Sequence, residues 1–394
     1  INLVLGLVQH LRKTGPPAIM KPDLLTIAAI LVVLFHPTYV AFANDAGTDE
    51  INIGIRYEIN SKALGESREI LVSVPGDRSR SYPVIYVLNG DAEFLHTLAT
   101  IQHLARNANK IPDFIVVGVV SKDGAKETRP NFPADGRKNE YESLFRQFVA
   151  KELVDHIDSS YNTHPFRVLV GHSLSGLFAL NTLRSEFDSF DAYFAFSPAL
   201  WWDDGAEADT ILRSISSKRA NARTVVVTVA NEGDDSTGQH RNFVDEWQRA
   251  STTTIKLFET AFPDESHSST TLPAINWSLQ RLFLGWRPGP DAYRLGLAGL
   301  EKHYSDLSDR FGWAVEIPLD DILPLVFEFA RRGNEGDDSR VYELIEHAVT
   351  RDQEMYDEFV EMIGALEIQG HSAGASIARK ALCDSNPSLQ ICSR

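Results

Sequence analysis

The chain of 394 residues contains only two cysteines and three methionines, and its basic side chains are fewer than its acidic ones, 38 against 54. Two cysteines exclude a disulfide scaffold, and neither lies in the C-x-x-C pattern typical of a redox or zinc site. The net charge of −16 disfavours nucleic acid or an anionic membrane as main partner, because both repel a polyanion. The sequence also lacks G-x-G-x-x-G, P-loop and H-E-x-x-H motifs, so we expect neither a cofactor nor a metal.

The composition, with 43% hydrophobic and 23% charged residues, is that of an average soluble globular protein. It excludes the collagen-like and fully disordered classes. Since a domain has about 150 residues, the length predicts two or three domains, each large enough to bury a core.

A short apolar run lies near the N-terminus. Lys21 precedes this run at 24–35, and the small-x-small triplet Ala41-Phe42-Ala43 follows it. A basic end, a short apolar core and small residues at a cleavage site are typical of a secretory signal peptide. We therefore expect 1–43 to be an upstream extension and signal peptide, and the mature protein to begin at Asn44 and be exported, periplasmic or secreted. The alternative is an uncleaved anchor, although spanning a bilayer takes about 20 apolar residues.

The two cysteines lie close together near the C-terminus. An exported protein can hold disulfides, and Cys383 and Cys392 are separated by only eight residues. We predict a local bridge between them that pins the end of the chain and has no catalytic role.

Short apolar, β-rich runs alternate with amphipathic helical patterns between residues 51 and 286. The predicted strands are Ile70–Val74, Tyr82–Leu88, Phe114–Val120, Phe166–Val170, Ala192–Ser197, Thr224–Ala230 and Thr254–Phe258. The predicted helices are Glu93–Ala105, Tyr141–Ser159, Leu174–Arg184, Asn242–Ala250 and Thr271–Leu284. Near-continuous apolar strands that alternate with helices indicate an α/β domain, a mainly parallel sheet with helices on both faces.

The segment Trp286-Arg287-Pro288-Gly289-Pro290 interrupts this alternation. Beyond it only helical patterns follow, at Ala292–Leu307, Leu319–Arg332, Asp338–Thr350, Gln353–Gln369 and Ser372–Cys383. We therefore predict a catalytic domain at 44–286 and a small helical domain at 291–394. Gly333 and Gly370 are 37 residues apart, near the 34-residue period of tetratricopeptide repeats (TPR), so the helical domain is TPR-like; a plain helical appendage is the alternative.

The strongest motif runs through Gly171, His172 and Ser173 to Ser175. A buried strand precedes it and a helix follows at once, which is the construction of a nucleophile elbow. The elbow needs small residues two positions to either side of the nucleophile, and Gly171 and Ser175 supply them. Ser173 is therefore the candidate nucleophile; the alternative is a hydroxyl that merely caps the following helix.

A serine nucleophile needs a base to take its proton. In α/β-hydrolases the chain order is Ser, acid, His, and His267 lies in a polar loop after the last predicted strand. His267 is therefore the candidate base. His240 is a competitor, but it lies too early and near a helix start. His172 is expected to be structural, because adjacent residues of the elbow point to different sides.

The acid should follow the strand Thr224–Ala230, where three carboxylates occur within four residues. Such a carboxylate holds the histidine tautomer and stabilises the imidazolium. Glu232 is nearest the strand end and is the preferred candidate; Asp235 is the alternative, and Asp234 comes after both.

An oxyanion hole needs two backbone N–H groups, one from the residue after the nucleophile and one from the loop after the third strand of the fold. Leu174 provides the first. Gly90 allows a tight turn after the strand Tyr82–Leu88, so Asp91 is the candidate for the second. The alternative for this segment is a simple turn with Asp91 as the helix N-cap.

Together these residues resemble the esterase family of α/β-hydrolases that includes the enterochelin esterases. The segments that carry the resemblance are the elbow, Tyr86–Asp91, Glu127–Arg129, Phe145–Tyr161 and Ser197–Asp203. The family usually has Asp where this chain has Asn89, Gly where it has Ser175, and Asp where it has Pro130. The resemblance implies an α/β-hydrolase fold and an ester or thioester hydrolase, and some members carry a similar helical extension.

Arg129, Trp201 and Trp202 are candidates for the substrate pocket, since the resemblance places an anion- or catecholate-binding Arg at 129. The alternatives are a surface or salt-bridged Arg and a Trp pair that packs a loop onto the core. We expect a serine carboxylic-ester hydrolase that acts on a small-molecule ester, with a siderophore lactone and an acylated carbohydrate as substrate candidates. The other hypotheses are an acyltransferase and a retired hydrolase fold that binds a protein partner through its helical tail.

Overall fold

The computed structural model describes residues 51–130, 139–216, 223–250, 255–353 and 355–393. The predicted signal peptide at 1–43 lies outside these residues. Within the described ranges, no helix is long and apolar enough to cross a membrane.

The described strands form one sheet in the order β1-β2-β4-β3-β5-β6-β7-β8. Their bounds are β1 Ile55–Ser61, β2 Glu66–Ser73, β3 Tyr82–Leu88, β4 Ile115–Val119, β5 Thr163–His172, β6 Ala192–Phe196, β7 Arg223–Ala230 and β8 Ile255–Phe262. β1 and β2 pair antiparallel at one edge, and all pairs from β4 to β8 are parallel. Parallel strands end at the same edge of a sheet, so the loops after β3, β5, β6, β7 and β8 gather there.

All seven predicted strands are present, which confirms the mainly parallel α/β sheet. The strand that the prediction missed is β1, and its sequence IRYEINS shows why. Most of its side chains are exposed or half-exposed, since β1 is an edge strand, and charged residues interrupt its apolar pattern. An edge strand of this kind lacks the continuous apolar run by which buried strands are recognised.

Helices cover both faces of the sheet. Their bounds are α1 Gly90–Gln102, α2 Gly124–Thr128, α3 Glu140–Gln147, α4 Leu153–Ser160, α5 Leu174–Ser185, α6 Ala206–Ser216, α7 Asp234–Arg249 and α8 Thr271–Leu282. π-helical turns follow α1 and join α3 to α4. Alternate residues of β3 define the two cores: Ile85 and Val87 pack with α1 and α8, and Val84 and Tyr86 pack with α3 to α6.

Three features of these helices differ from the sequence prediction. The prediction missed α2 and α6, and α7 begins at Asp234, eight residues before the predicted start at Asn242. The first two turns of α7 read DDSTGQHR, so they carry no apolar periodicity for a helical pattern to reveal.

Beyond residue 286 the described chain is helical, as predicted. The bounds are α9 Pro290–Arg294, α10 Leu297–Phe311, α11 Leu319–Arg332, α12 Asp337–Arg351, α13 Met355–Ile368 and α14 Ser372–Ser385. The helix predicted at Ala292–Leu307 is in fact two helices, separated at Gly296, whose φ of 69° breaks the first one. The tetratricopeptide-like ancestry of this region, and the division of the chain near 286–291, stay predictions.

The helical region packs on the sheet through aromatic side chains. Phe311 contacts Phe166 of β5, with ring centroids 5.5 Å apart, and Phe283 at the end of α8, at 4.8 Å. Trp313 contacts Phe166 at 5.2 Å. The apolar core on this face therefore continues from the sheet into the C-terminal helices.

Cys383 of α14 and Cys392 form a disulfide, which confirms the predicted local bridge. The bridge fastens the last residues of the chain to α14, far along the chain from the strand-end loops.

Candidate active site

Ser173 lies between β5 and α5 with φ 59° and ψ −122°, a backbone conformation that a non-glycine residue adopts at a cost of about 1–3 kcal/mol. Three hydrogen bonds hold it there. Its N–H donates to the carbonyl of Phe196 at 2.9 Å, and its carbonyl accepts the N–H groups of Leu177 and Ala199, both at 3.1 Å. The turn is therefore fixed by the end of β6 as well as by its own helix.

The close approach of two backbone segments explains the small residues around Ser173. A Cβ atom added to Gly171 would lie 2.0 Å from the carbonyl oxygen of Ser175, so only glycine fits at 171. The Ser175 side chain is accommodated because its hydroxyl donates to Oδ1 of Asn89 at 2.5 Å. Two of the three departures from the family pattern, Ser175 and Asn89, thus form one hydrogen-bonded pair.

The structure brings His267 and Glu232 together. Nδ1 of His267 lies 3.0 Å from Oε2 of Glu232, and the side chains are 42% and 15% exposed. Asp234 and Asp235 are exposed in the first turn of α7. The backbone explains this difference, because Gly233, with φ 87°, turns the chain into α7 directly after Glu232.

The two predicted oxyanion donors lie at neighbouring helix N-termini. β3 and β5 are adjacent and parallel, with Val87 opposite Val170, so α1 and α5 start side by side at one edge of the sheet. Asp91 is the second residue of α1 and Leu174 the first of α5. Their N–H groups have no acceptor within their own helix, and both helix dipoles favour negative charge here. The N-cap of α1 is Asn89, not Asp91, so the alternative that Asp91 caps this helix is wrong.

The three predicted pocket residues lie in different surroundings. Trp201 is 51% exposed and Trp202 is half-buried, with ring centroids 5.8 Å apart. Trp201 and Glu232 line one small cavity. Arg129 follows α2, which packs against α5, and its Nε is buried without a hydrogen-bond partner in the described part of the chain.

A buried ion pair anchors the segment that carries Arg129. Nη1 of the fully buried Arg68 lies 2.7 Å from Oε1 of Glu127, the last residue but one of α2. The Glu127 carboxylate also accepts the N–H of Lys122 and the hydroxyl of Ser121, both at 3.0 Å. Since an unpaired buried charge is costly, this pair holds the loop and α2 in one position above the sheet edge.

Two ionisable residues, His172 beside His267 and Glu93 near His172, were not predicted as site residues. His172 lies against His267, with ring centroids 4.5 Å apart. Glu93, in the first turn of α1, lies 2.6 Å from Nε2 of His96. Burial alone would raise the pKa of Glu93, but hydrogen bonds from His96 and Thr271 outweigh it, so this pKa is lowered. The i, i+3 spacing of Glu93 and His96 on a helix was the available signal in the sequence.

The competing histidine, His240, is buried in α7. Its Nε2 lies 3.6 Å from Oε2 of Glu259, and burial lowers its pKa. Among the described residues, no group of three or more His, Cys, Asp or Glu side chains is placed to hold a metal ion.

The close approach at Gly171 yields a prediction about stability. We expect Gly171→Ala to lower the free energy of unfolding by more than about 3 kcal/mol, because its Cβ would overlap the Ser175 carbonyl. Gly238→Ala is the control: Gly238 lies in α7 with nothing within 4 Å of an added Cβ, so alanine should stabilise the helix by about 1 kcal/mol. Urea unfolding of both variants measures the difference, and equal effects of the same sign would contradict this reading of the elbow.

Comparisons with known proteins agree with this geometry. Residues 61–273 match the family described as "Putative esterase". The chain is 31% identical over 169 residues to the ferri-bacillibactin esterase BesA of Bacillus subtilis, covering 37% of this chain and 58% of that protein. It is 46% identical over 48 residues to a siderophore enterobactin esterase of Emericella nidulans, covering 12% of this chain and 16% of that one. The alignments thus span less than two thirds of either relative.

A solved structure, an IroE-like serine hydrolase from Shewanella oneidensis, shares the fold. It superimposes with a TM-score of 0.63 at 22% identity, covering 74% of this chain and 97% of that one. The sheet order, the strained turn at Ser173 and a family match over more than half of the sequence agree with one another. The chain belongs to the Putative esterase family and has its α/β-hydrolase fold.

Proposed function

We propose that the protein is a serine carboxylic-ester hydrolase that works through an acyl-enzyme. The observation that carries the proposal is the hydrogen-bonded pair of His267 and Glu232 beside the strained turn at Ser173. Membership of an esterase family supports the same activity. The relatives with the matching sequences are named as esterases.

In the proposed reaction, the Ser173 hydroxyl attacks the ester carbonyl while Nε2 of His267 takes its proton. Glu232 accepts the Nδ1–H of His267, which fixes the tautomer that leaves Nε2 free as the base, and it stabilises the imidazolium. The N–H groups of Leu174 and Asp91 stabilise the oxyanion. His267 then protonates the leaving alcohol, and it activates the water that cleaves the acyl-enzyme.

Two observations weigh on the alternatives. A retired fold serving as a scaffold was suggested by Ser175, Asn89 and Pro130, but Ser175 and Asn89 hydrogen-bond to each other and leave the turn at Ser173 intact. An acyltransferase must keep water from the acyl-enzyme, whereas the His267 side chain is 42% exposed. Hydrolysis is therefore the favoured reaction, and a protein partner of the helical tail stays a second proposal.

For the substrate, we propose a siderophore lactone ahead of an acylated carbohydrate. The names of both curated relatives refer to siderophore esters. A ferric catecholate siderophore is anionic and aromatic, so it suits the Arg129 guanidinium and the exposed ring of Trp201.

Export remains part of the proposal. The leader pattern at 1–43 favours an exported protein, and the Cys383–Cys392 disulfide is consistent with an oxidising compartment.

The assignment of the acid is testable with two neighbouring carboxylates. We expect Glu232→Gln to lower kcat for p-nitrophenyl butyrate by about 10⁴-fold, because the amide no longer selects the His267 tautomer. Asp235→Asn, in the exposed first turn of α7, should change kcat less than about twofold. A larger loss in Asp235→Asn than in Glu232→Gln would assign the role to Asp235. Full activity in Ser173→Ala would refute the serine mechanism altogether.

The role of Arg129 is testable by charge. Arg129→Gln should raise KM for a ferric triscatecholate trilactone about tenfold, because it removes one charge-assisted hydrogen bond that contributes about 1.4 kcal/mol to binding. The neutral ester p-nitrophenyl butyrate should show no such change. An equal rise in KM for both esters would mean that Arg129 acts on the shape of the loop and not on substrate charge.

A further inference from the structure

The residue before the nucleophile contacts the loop that carries the base. His172 is the last residue of β5, and its ring packs against the His267 ring with centroids 4.5 Å apart and an interplanar angle of 44°. An imidazole in this place can influence the position of the His267 ring without contacting a substrate.

A polar contact accompanies the ring contact. The backbone carbonyl of His267 lies close enough to the His172 ring to favour an N–H on the side that faces it. Nε2 of His172 is buried and has no partner in the described part of the chain. The contact therefore favours the neutral tautomer of His172 that carries its proton on Nδ1.

The charged groups around His172 come from three elements. They are His267 in the loop before α8, Glu93 on α1 and Glu232 after β7. Burial and then the nearby His267 lower the pKa of His172, and the two carboxylates only partly offset them. His172 therefore stays neutral when His267 becomes an imidazolium. A second positive ring at this distance would oppose protonation of the base.

We propose that His172 is a positioning residue for His267, an inference that rests on the proposed function. His267 is contacted at two points: Glu232 lies at its Nδ1, and His172 packs against one face of its ring and lies near its backbone carbonyl. The two contacts together keep the His267 ring in one orientation, with Nε2 free to act as the base. A small displacement of the base is enough to slow the proton transfer, so we expect the second contact, with His172, to contribute to the rate.

Two variants at position 172 separate the polar contact with the His267 carbonyl from the packing of the two rings. His172→Phe keeps a ring but removes the donor, and we expect kcat for p-nitrophenyl butyrate to fall about ten- to a hundredfold with KM nearly unchanged. His172→Asn places an amide N–H where Nδ1 lies and should recover most of that loss. The control is His303→Phe, because the His303 ring of α10 also contacts a backbone carbonyl, that of Trp286 at 2.9 Å, and His303 is not among the candidate site residues. It should leave kcat unchanged.

Amide hydrogen exchange gives a readout that does not need activity. Exchange at 264–269 should be faster in His172→Phe than in wild type and close to wild type in His172→Asn. Unchanged exchange in His172→Phe, or no recovery in His172→Asn, would overturn the proposal. If wild type hydrolyses no ester better than Ser173→Ala does, the esterase function fails, and the exchange result still decides whether His172 holds the loop.

Discussion

The conformation of Ser173 is the constraint on which the rest of the site depends. A strained positive φ at a non-glycine residue persists only where several contacts with the surrounding structure hold it in place. Here the hydrogen bonds to Phe196 and Ala199 and the close approach at Gly171 do so. The ends of three adjacent strands share this property, because Asn89, Ser173 and Ser197 have φ values of 55°, 59° and 40°. Three of the six non-glycine residues with positive φ in the described part of the chain thus lie at the strand ends that carry the candidate site.

Hydrogen bonds carry that constraint from the nucleophile to the other two members of the proposed triad. The Ser197 hydroxyl accepts the N–H of Ala230 at 3.1 Å, which ties the end of β6 to the end of β7. The N–H of Asn231 donates to the carbonyl of Glu265 at 2.9 Å and ties the loop of Glu232, the proposed acid, to the loop of His267, the proposed base. Ser173, Glu232 and His267 are far apart in sequence, yet a series of hydrogen bonds between the strand ends links their loops.

The features that could be predicted from the sequence are those that depend on a local pattern of residues. The buried strands were readable as continuous apolar runs, and Gly171 to Ser175 marked the elbow. The choice between Glu232 and Asp235 was open, because it depends on where α7 begins, and its polar first turns hide that start. The contact of His172 with His267 could not be read either, since it arises from two loops brought together by the sheet. The hydrogen bond between Ser175 and Asn89 could not be predicted from the spacing of residues in the sequence either, because the two residues follow different strands.

The strained turn at the start of α5, beside the start of α1, is what makes Ser173 the proposed nucleophile. Labelling the folded protein with a fluorophosphonate and mapping the adduct by peptide mass spectrometry tests this role. We expect one adduct per chain, on Ser173. An unlabelled protein, or an adduct on any other residue, would mean that Ser173 is not the nucleophile.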